Sequence, residues 1–499
     1  MKNKPIRYAL KDILAYILMC VFLVFCLTTI PDARRRYGEA SALIPQGNTV
    51  VRVAVGVGQA EAMLTVRQGA YNLSDPDSGS EAGSVSAGQK IEIKPSGSGI
   101  SVTRDGASTA SVGTRVLLSA QGFGPDIMAY GNRTYRGSFL VENKNGVLNV
   151  INILDVDHYL LGVLPMEMGL STVPAEALKA QAIVSRTYAL KKKNLYSSYD
   201  LVSGTIDQVY GGYGNEKMHT TAAVEATKGL AIYFDGSLIE SFFSSNSGGY
   251  TEDAENVWNE ALPYAKAIAS PYDAAALGAS QDSNGYPGYT YSWQVRYTVA
   301  ELQDRITQWN RDNPGSPISV GNLQSIFGYP LAYDPATRKI TDRQNSSGRI
   351  TQLVLNGGNG SQSLYRESIR TFLGLRSALF TITPEGGVPV RNGAGAVVML
   401  DRSIRDSMGL TADGQPSEIN PGSNSFFVVT ADGVVEMNKD QASVVTAYVF
   451  DGKGYGHGVG MSQWGAIGMA EAGMNYAQII EYYYNQNKND SRLAIMAVQ

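Results

Sequence analysis

A predicted helix with almost no polar face restricts the fold of this chain more than any other feature. It spans residues 174–193 (PAEALKAQAIVSRTYALKKK), and Pro174 stands where a first helical turn accepts proline. At 100° per residue, one side carries only Ala180, Ile183, Val184 and Thr187. Most of the remaining circumference is also small or apolar, so other elements must cover the helix on most sides. The sequence therefore predicts a domain built around a buried helix.

Four long side chains on this helix are candidates for a binding site. Lys179 and Arg186 are seven residues apart and share one edge, whereas Gln181 and Tyr188 share another. Charged groups on a buried helix must be paired or must line a cleft, because an isolated buried charge is unstable. Internal salt bridges and a polar cleft both fit these four residues, and the pattern alone does not choose between them.

The remaining pattern predicts an α+β protein with several parts. Residues 48–150 alternate apolar and polar positions over short runs broken by turn residues, which is typical of a β-rich unit. Residues 151–490 mix helices and strands, with a hairpin that turns at Asp235-Gly236 and a helix at 299–312. Residues 386–446 are rich in glycine, asparagine and aspartate, and we predict that they form a β-rich insertion in this mixed α/β domain.

The N-terminus predicts a membrane segment at residues 1–31, followed by a tether at 32–47. Residues Ile13–Ile30 form an uncharged apolar run near the lower length limit for crossing a bilayer, and basic residues precede it. Ile30-Pro31-Asp32-Ala33 is a poor signal-peptidase site. We expect an uncleaved single-pass anchor helix with the body on the extracytoplasmic face. The alternative is a cleaved signal and a secreted protein.

Composition excludes several classes of function. The net charge is −4 and the basic residues are scattered, so nucleic acid is not an expected partner. Both cysteines, Cys20 and Cys26, lie in the apolar N-terminal run, which leaves the body without disulfides or thiolate ligands. The three histidines include no close pair, so we expect neither a metal site nor a cofactor.

A glycine-dense segment near the C-terminus has the composition of a binding site. Six glycines fall between Gly452 and Gly465 and surround Tyr455, His457, Ser462, Gln463 and Trp464. Glycines at this density oppose regular structure and let the backbone approach a neighbour closely. The polar and aromatic residues between them suit a hydroxyl-rich or ring-shaped ligand. The plainer alternative is a surface loop that leads into a helix.

Glu167 is the candidate acid. It lies in Leu164-Pro165-Met166-Glu167-Met168, where apolar neighbours would disfavour its charged form. A carboxyl kept protonated in this way can serve as a general acid near neutral pH. The alternative is a surface glutamate on a short helix.

Several motifs together resemble the stage II sporulation protein D / amidase enhancer family (SpoIID/LytB). The run DVDHYLLGVLPMEMGLSTVPAEALKAQAIVSRTYAL matches the family pattern, and the matches that follow it in order are SFFSSNSGGYTEDAENVW, SSGRITQLVLNG, RTFLGLRSALF and GYGHGVGMSQWGAIGMA. These matches span about residues 145–485. Ser185 departs from the alanine that is usual in the family.

The resemblance implies a lytic transglycosylase that cuts peptidoglycan glycan strands, preferably those stripped of stem peptides. Glu167 matches the family's essential acid. It would protonate the bridging oxygen and then take the proton of the muramic acid C6 hydroxyl, which gives a 1,6-anhydro end. A hydrolase would usually need a second carboxylate about 5–9.5 Å away, and the sequence supplies no candidate within a motif.

Eight further residues match the cleft of the family and are predicted to contact substrate: Lys179, Gln181, Arg186, Tyr188, Ser245, His457, Gln463 and Trp464. Trp464 offers a face for sugar stacking, although a core tryptophan fits equally well. His457 fits an orienting hydrogen-bond partner better than a base. Some relatives in the family carry a His/Cys zinc site, but this chain lacks the cysteines, so no metal is carried over.

Two other functions remain open at this level. The name amidase enhancer implies a non-catalytic protein that binds peptidoglycan and activates a cell-wall amidase. Other envelope proteins are further possible partners. A structural envelope protein whose working part is the unit at 48–150 is the second alternative. Neither a role in sporulation nor one in vegetative wall remodelling is favoured by the sequence.

Overall fold

The computed structural model describes residues 49–121, 125–193, 198–280, 288–386 and 445–498, and between 388 and 438 the backbone of six short strands. The chain divides into two compact units. The first contains the residues up to Gly162 and Lys193–Asn215, and the second contains Val163–Lys192 and the residues from Glu216 onward. The predicted mixture of strands and helices is confirmed.

Thirteen strands of the described residues belong to the first unit: β1 (Val50–Gln59), β2 (Ala62–Gln68), β3 (Ala70–Ser74), β4 (Glu81–Ser86), β5 (Lys90–Ser96), β6 (Gly99–Arg104), β7 (Ala107–Val112), β8 (Arg115–Ala120), β9 (Ile127–Tyr130), β10 (Arg133–Arg136), β11 (Ser138–Lys144), β12 (Val147–Asp155) and β13 (Leu201–Val202). They form a seven-stranded sheet in the order β13-β1-β12-β11-β8-β3-β4 and a six-stranded sheet in the order β10-β9-β2-β5-β6-β7. Contacts of β5 with β12 and of β6 with β11 join the two sheets.

The first unit is larger than the β-rich stretch predicted at 48–150. Strand β1 pairs antiparallel with β12, with Val50 opposite Asp155, so the sheet continues past residue 150. Residues 201–202 return to the sheet as β13, parallel to β1. A two-residue strand has no periodic pattern of its own, which is why sequence reasoning did not assign it to this unit.

Ten helices are described, and the division between the units falls within the first: α1 (Val156–Met168), α2 (Ala175–Lys191), α3 (Met218–Ala226), α4 (Ala254–Trp258), α5 (Ala275–Gly278), α6 (Gly288–Tyr291), α7 (Val299–Asp312), α8 (Glu367–Leu373), α9 (Gln463–Glu471) and α10 (Tyr476–Asn485). Two of them carry capping boxes, Thr298 with Glu301 at α7 and Asn475 with Gln478 at α10. These reciprocal hydrogen bonds satisfy the first backbone N–H groups and fix where each helix begins.

The predicted buried helix is α2. Every residue from Ala180 to Leu190 is buried, and α3, α9, α10 and a strand of the second unit pack around the helix. Its apolar circumference is thus covered on most sides, as predicted from the sequence.

Nineteen strands of the second unit are described: β14 (Leu230–Phe234), β15 (Ser237–Leu238), β16 (Phe243–Ser244), β17 (Ser292–Thr298), β18 (Leu323–Tyr329), β19 (Leu331–Asp334), β20 (Lys339–Gln344), β21 (Gln352–Gly357), β22 (Gly360–Tyr365), β23 (Phe380–Glu385), β24 (Val388–Arg391), β25 (Val397–Leu400), β26 (Met408–Leu410), β27 (Pro416–Glu418), β28 (Ser425–Thr430), β29 (Gly433–Asn438), β30 (Ala447–Lys453), β31 (Met461–Ser462) and β32 (Leu493–Ala497). The predicted hairpin at Asp235-Gly236 joins β14 to β15. Strand β32 completes that small sheet by pairing antiparallel with β14.

Residues 386–446 connect two neighbouring strands of one sheet. Strand β23 ends at Glu385 and β30 begins at Ala447, and these two residues face each other in the antiparallel register. The pairs β24–β25, β26–β27 and β28–β29 lie within the connection. A connection that leaves and re-enters a sheet at adjacent positions is what an insertion requires.

The described residues contain no helix long and apolar enough to cross a bilayer. The predicted anchor at Ile13–Ile30 lies outside the residues that the structure describes.

Candidate active site

Glu167 lies in the last turn of α1, two residues after Pro165. The helix ends at Met168. Gly169 follows at a position that admits no larger residue, because a β-carbon there would come within 1.8 Å of the Pro165 carbonyl oxygen. The Lys217 ammonium donates to the Gly169 carbonyl oxygen at 2.7 Å, and a cation at this end complements the helix dipole. The Glu167 side chain is partly exposed, so it is open to a ligand while its backbone is fixed.

Gln463 reaches Glu167 from the glycine-dense segment. Its Nε2 donates to Oε2 of Glu167 at 3.2 Å, although 296 residues separate the two along the chain. Gln463 opens α9, whose N-cap Ser462 accepts from the Gly465 N–H. The glycine-dense segment therefore returns to contact Glu167.

Ser245 lies in a loop that holds the start of α9. Strands β16 and β31 pair in parallel, with Ser244 beside Ser462, and the Trp464 N–H donates to the Ser245 carbonyl oxygen at 3.0 Å. Trp464 itself is only 5% exposed. It occupies the interior, so the structure favours the core alternative over a stacking face for sugar.

The glycines of this segment permit close approach to the same loop. A β-carbon at Gly456 would come within 2.6 Å of the Ser244 β-carbon, and one at Gly460 within 2.1 Å of the Phe242 carbonyl oxygen. Both glycines also have positive φ values, 114° and 72°, which other residues rarely adopt. The glycine-dense segment is thus a tightly packed element rather than a surface loop.

The polar residues of α2 fall into two groups. Lys179 is partly exposed and pairs with Glu176 at 2.7 Å, and Glu176 also accepts from the Tyr476 N–H at 2.9 Å. Gln181 and Arg186 have no exposed surface. Their contacts are internal, because Gln181 donates to Ser185 Oγ at 3.0 Å and Arg186 to the Leu230 carbonyl oxygen at 3.0 Å.

Tyr188 is 8% exposed and makes an edge contact with Phe243 at 6.3 Å between ring centroids. Of the four candidates on α2, only Lys179 has substantial side-chain surface. We therefore expect the other three to shape the wall beneath a ligand.

His457 is held by packing and hydrogen bonds. Its Nδ1 accepts from the Val459 N–H at 3.0 Å. Its ring packs edge-on against those of Trp258 and Phe242, at 4.8 and 6.3 Å between ring centroids. Burial, together with the nearby Arg370 and Arg349 guanidinium groups, lowers the pKa of His457 to about 3. A neutral imidazole with a fixed ring agrees with the predicted orienting role better than with a base.

We expect His457→Asn to reduce the acid sensitivity of the fold. The pKa of His457 is lower in the native state than in the unfolded chain, where it is about 6.5. The unfolded state therefore binds more protons between these values, so stability is full above pH 6.5 and falls as pH drops towards 3. Between pH 6.5 and 5 the native protein should lose up to about 2 kcal/mol more than the variant.

Urea denaturation at a series of pH values measures this difference as the slope of the unfolding free energy against pH. This slope does not depend on packing lost in the variant. The carboxyls of Glu252 and Asp273 titrate in both proteins and cancel. His158→Asn is the control, because His158 is exposed. Equal slopes for native protein and His457→Asn would refute the assignment.

A buried polar network lies behind the glycine-dense segment and was not predicted. Its centre is Arg349, which is 2% exposed and donates to the carbonyl oxygens of Ser247 and Tyr250, both at 2.7 Å. Gly458 packs directly on it, since a β-carbon there would lie 2.3 Å from Nη2. The guanidinium thus ties the Ser/Asn/Gly loop to the glycine-dense segment.

Two buried carboxyl groups belong to the same network. Glu252 accepts from Asn256 Nδ2 at 2.9 Å and from Ser347 Oγ, and Asp273 accepts from the Gly249 N–H and from Ser270 Oγ, both at 2.9 Å. Burial raises the pKa of both carboxyls and lowers that of Arg349. Glu252 and Arg349 lie in motifs of the family resemblance, and this was the one feature of the sequence that could have indicated the network.

Within the described residues, no three His, Cys, Asp or Glu side chains are grouped as a metal site would require.

Comparison with known proteins shows similarity to one family. A model of the SpoIID family, described as stage II sporulation protein, matches residues 144–234. The amidase enhancer of Bacillus subtilis (strain 168) is 29% identical over 340 residues, which cover 65% of this chain and 39% of the relative. Stage II sporulation protein D of the same organism is 26% identical over 348 residues, covering 66% of this chain and 73% of the relative.

The corresponding sporulation protein of Bacillus amyloliquefaciens is 27% identical over 348 residues. The chain is thus similar to the stage II sporulation protein D / amidase enhancer family, which supports the resemblance that its motifs indicate. It spans 39% of the length of the amidase enhancer, so properties of that whole protein come to this chain only as proposals.

Proposed function

We propose that the protein is a peptidoglycan lytic transglycosylase in which Glu167 is the only general acid and base. The observation that carries the proposal is the hydrogen bond from Gln463 to Glu167. It brings the acid of one family motif against the last motif of the family pattern. A partly exposed carboxyl that is held by a buried amide has the access and the fixed geometry that proton transfer needs.

The proposed reaction begins with proton donation. Because the Gln463 N–H donates to Oε2, the proton of the acid form is placed on Oε1. Glu167 gives this proton to the oxygen between muramic acid C1 and the next sugar as the C1–O bond breaks. Positive charge develops on C1 and the ring oxygen, and the adjacent carboxylate stabilises it.

The second half of the reaction returns the proton. The Glu167 carboxylate takes the proton of the C6 hydroxyl of the same muramic acid, and O6 bonds to C1. The products are a 1,6-anhydro end and a free 4-hydroxyl on the leaving sugar. Glu167 ends protonated as it began, and no water is consumed.

Neighbouring side chains would support the reacting carboxyl. Lys179 is the partly exposed cation of α2 and could hold a carboxylate of the glycan, although it is paired with Glu176 in this structure. Glu176 is itself engaged by Lys179 and the Tyr476 N–H, which makes it a poor second acid. A single-carboxyl mechanism is therefore favoured over hydrolysis, which needs two.

We expect Gln463→Leu to move the pH–rate profile. The Gln463 N–H stabilises the carboxylate of Glu167 relative to the acid, so its loss favours the protonated form. The alkaline limb of kcat should shift to higher pH, and kcat at neutral pH should fall about tenfold, as expected for a poorly held general acid. Steady-state kinetics at several pH values measure both effects. A purely structural role would lower kcat without moving the limb.

The full-length protein should be incubated with stem-free glycan strands, and the products analysed by mass spectrometry. The expected products carry 1,6-anhydro-muramyl ends, which are lighter than a hydrolysed end by one water. Reducing ends in their place would indicate a hydrolase. Intact strands, with stimulation of a cell-wall amidase, would defeat the transglycosylase proposal.

A non-catalytic role is the second candidate, and the name of one relative, amidase enhancer, favours it. In that case the protein would bind glycan strands and present them to an amidase partner. The two candidates share the substrate and differ in whether Glu167 is required. Either role places the body outside the cytoplasmic membrane, which we propose together with the N-terminal anchor.

A further inference from the structure

Three tyrosines and two cations form a surface next to the glycine-dense segment that the proposed reaction does not use. We call it the tyrosine platform, and it consists of Tyr289, Tyr291, Arg376, Lys453 and Tyr455. The rings of Tyr289 and Tyr455 lie 6.2 Å apart, and the Arg376 guanidinium lies 4.5 Å above the Tyr289 ring. Lys453 Nζ lies 5.9 Å from the Tyr291 ring. Tyr455 is 39% exposed, so the platform faces solvent.

Backbone hydrogen bonds hold the platform rigid. The Gly454 N–H donates to the Tyr291 carbonyl oxygen at 3.0 Å, and the Gly456 N–H to that of Arg376 at 2.8 Å. Tyr455 and Asn246 exchange two more such bonds, at 2.8 and 3.1 Å. The backbone that carries the rings and cations is therefore fixed before any ligand arrives, which lowers the cost of binding.

The side chains of the platform specify a ligand chemistry. Tyrosine rings offer a flat apolar face with a polar edge, which suits the C–H face of a sugar. Within the part of the chain that the structure describes, neither Arg376 nor Lys453 forms an ion pair. Arginine binds carboxylates through two parallel N–H donors. Together these groups fit a saccharide that carries a free carboxylate.

We propose that the tyrosine platform binds a muramic acid residue through its free lactyl carboxylate and so selects strands that lack stem peptides. This inference rests on the proposed function. The stem peptide is attached through an amide to that carboxylate, so the negative charge exists only where the stem has been removed. Arg376 and Lys453 would then contribute to affinity only on stem-free sugars.

The position of the platform fits a strand that also reaches Glu167. Tyr455 lies eight residues before Gln463, the hydrogen-bond partner of Glu167. Eight residues of fully extended chain span at most about 28 Å, and the positive φ values between them shorten that distance. The platform would therefore be a subsite for a sugar some way along the strand from the bond that is cut.

Binding can be measured in the full-length Glu167→Gln protein, which removes turnover from the assay. The two probes are a stem-free glycan oligosaccharide with free lactyl carboxylates and the same oligosaccharide with those groups converted to carboxamides. We expect at least tenfold tighter binding of the carboxylate probe by calorimetry, which is about 1.4 kcal/mol. High salt should reduce this preference, because it screens the charges.

Substitutions in the same background identify the residue responsible. Arg376→Gln should remove the preference and its salt dependence, and Arg376→Lys should restore part of it. Lys453→Gln provides a second, exposed position if Arg376→Gln does not fold. The matched control is Arg311→Gln, an exposed arginine on α7 away from the platform, which should bind like the parent.

Equal affinity of the parent for the two probes, or a loss in Arg376→Gln that is the same for both, would overturn the proposal. These results do not depend on catalysis. A protein that prefers the carboxylate probe but releases no anhydro ends would retain the platform while the transglycosylase proposal fails.

Discussion

Glu167→Gln is expected to lower kcat on stem-free strands by about 10²–10⁴-fold, the usual contribution of general acid–base catalysis, while the melting temperature stays unchanged. The substitution keeps the size and shape of the side chain. The new carboxamide oxygen can still accept the Gln463 N–H, so the contact between α1 and α9 is retained. What is lost is the proton, because an amide neither gives nor takes one at neutral pH.

Release of anhydro-muramyl ends, followed by mass spectrometry, measures the effect, and calorimetry checks the fold. The matched control is Glu225→Gln, an exposed glutamate on α3 that should leave both quantities unchanged. Full activity in Glu167→Gln together with loss of activity in His457→Ala would mean that the acid lies on the glycine-dense segment rather than on α1.

Arg349→Met should lower the free energy of unfolding by about 3–5 kcal/mol, the usual cost of removing one partner from a buried charged network. The side chain is 2% exposed and donates to the carbonyl oxygens of Ser247 and Tyr250. Without it, these two oxygens lose their donor and two buried carboxyls, Glu252 and Asp273, lose a nearby cation. Methionine fills similar volume, so the loss reports charge and hydrogen bonding.

Urea denaturation at pH 7 measures the change, and Arg343→Met provides the control because Arg343 is an exposed residue of β20. The pKa values of Glu252 and Asp273 are raised by burial in the native state. Stability that depends on their protonation is present at low pH and is lost as pH rises through those values. The deficit of Arg349→Met should therefore be smaller at pH 5 than at pH 8. A deficit below about 1 kcal/mol would show that the network is not a main source of stability.

Local patterns predicted the parts of the fold that depend on neighbours in the sequence. The apolar circumference of α2 indicated burial, because a helix repeats every 3.6 residues and exposes any polar face it has. The Asp235-Gly236 turn and the start of α7 after Thr298 follow from turn and capping chemistry in the same way.

Contacts between distant segments were not predictable in this way. Glu252 and Ser347 are 95 residues apart, and no periodicity relates two buried polar side chains at such a separation. The sequence did not decide whether Trp464 lies in the core or lines the cleft, because its burial depends on elements elsewhere in the chain. Only the family motifs predicted the approach of Gln463 to Glu167, and they did so as a resemblance rather than from the physics of either segment.

The order in which the chain is made bears on when it can act. Glu167 is synthesised 296 residues before its partner Gln463, and the strand β32, which completes the sheet around β14, follows later still. Contacts of this sequence separation form late in folding, after the connecting chain has been ordered. A nascent or truncated chain therefore carries the Glu167 carboxyl without Gln463, its hydrogen-bond partner. The proposed reaction would therefore begin only after Gln463 has reached Glu167.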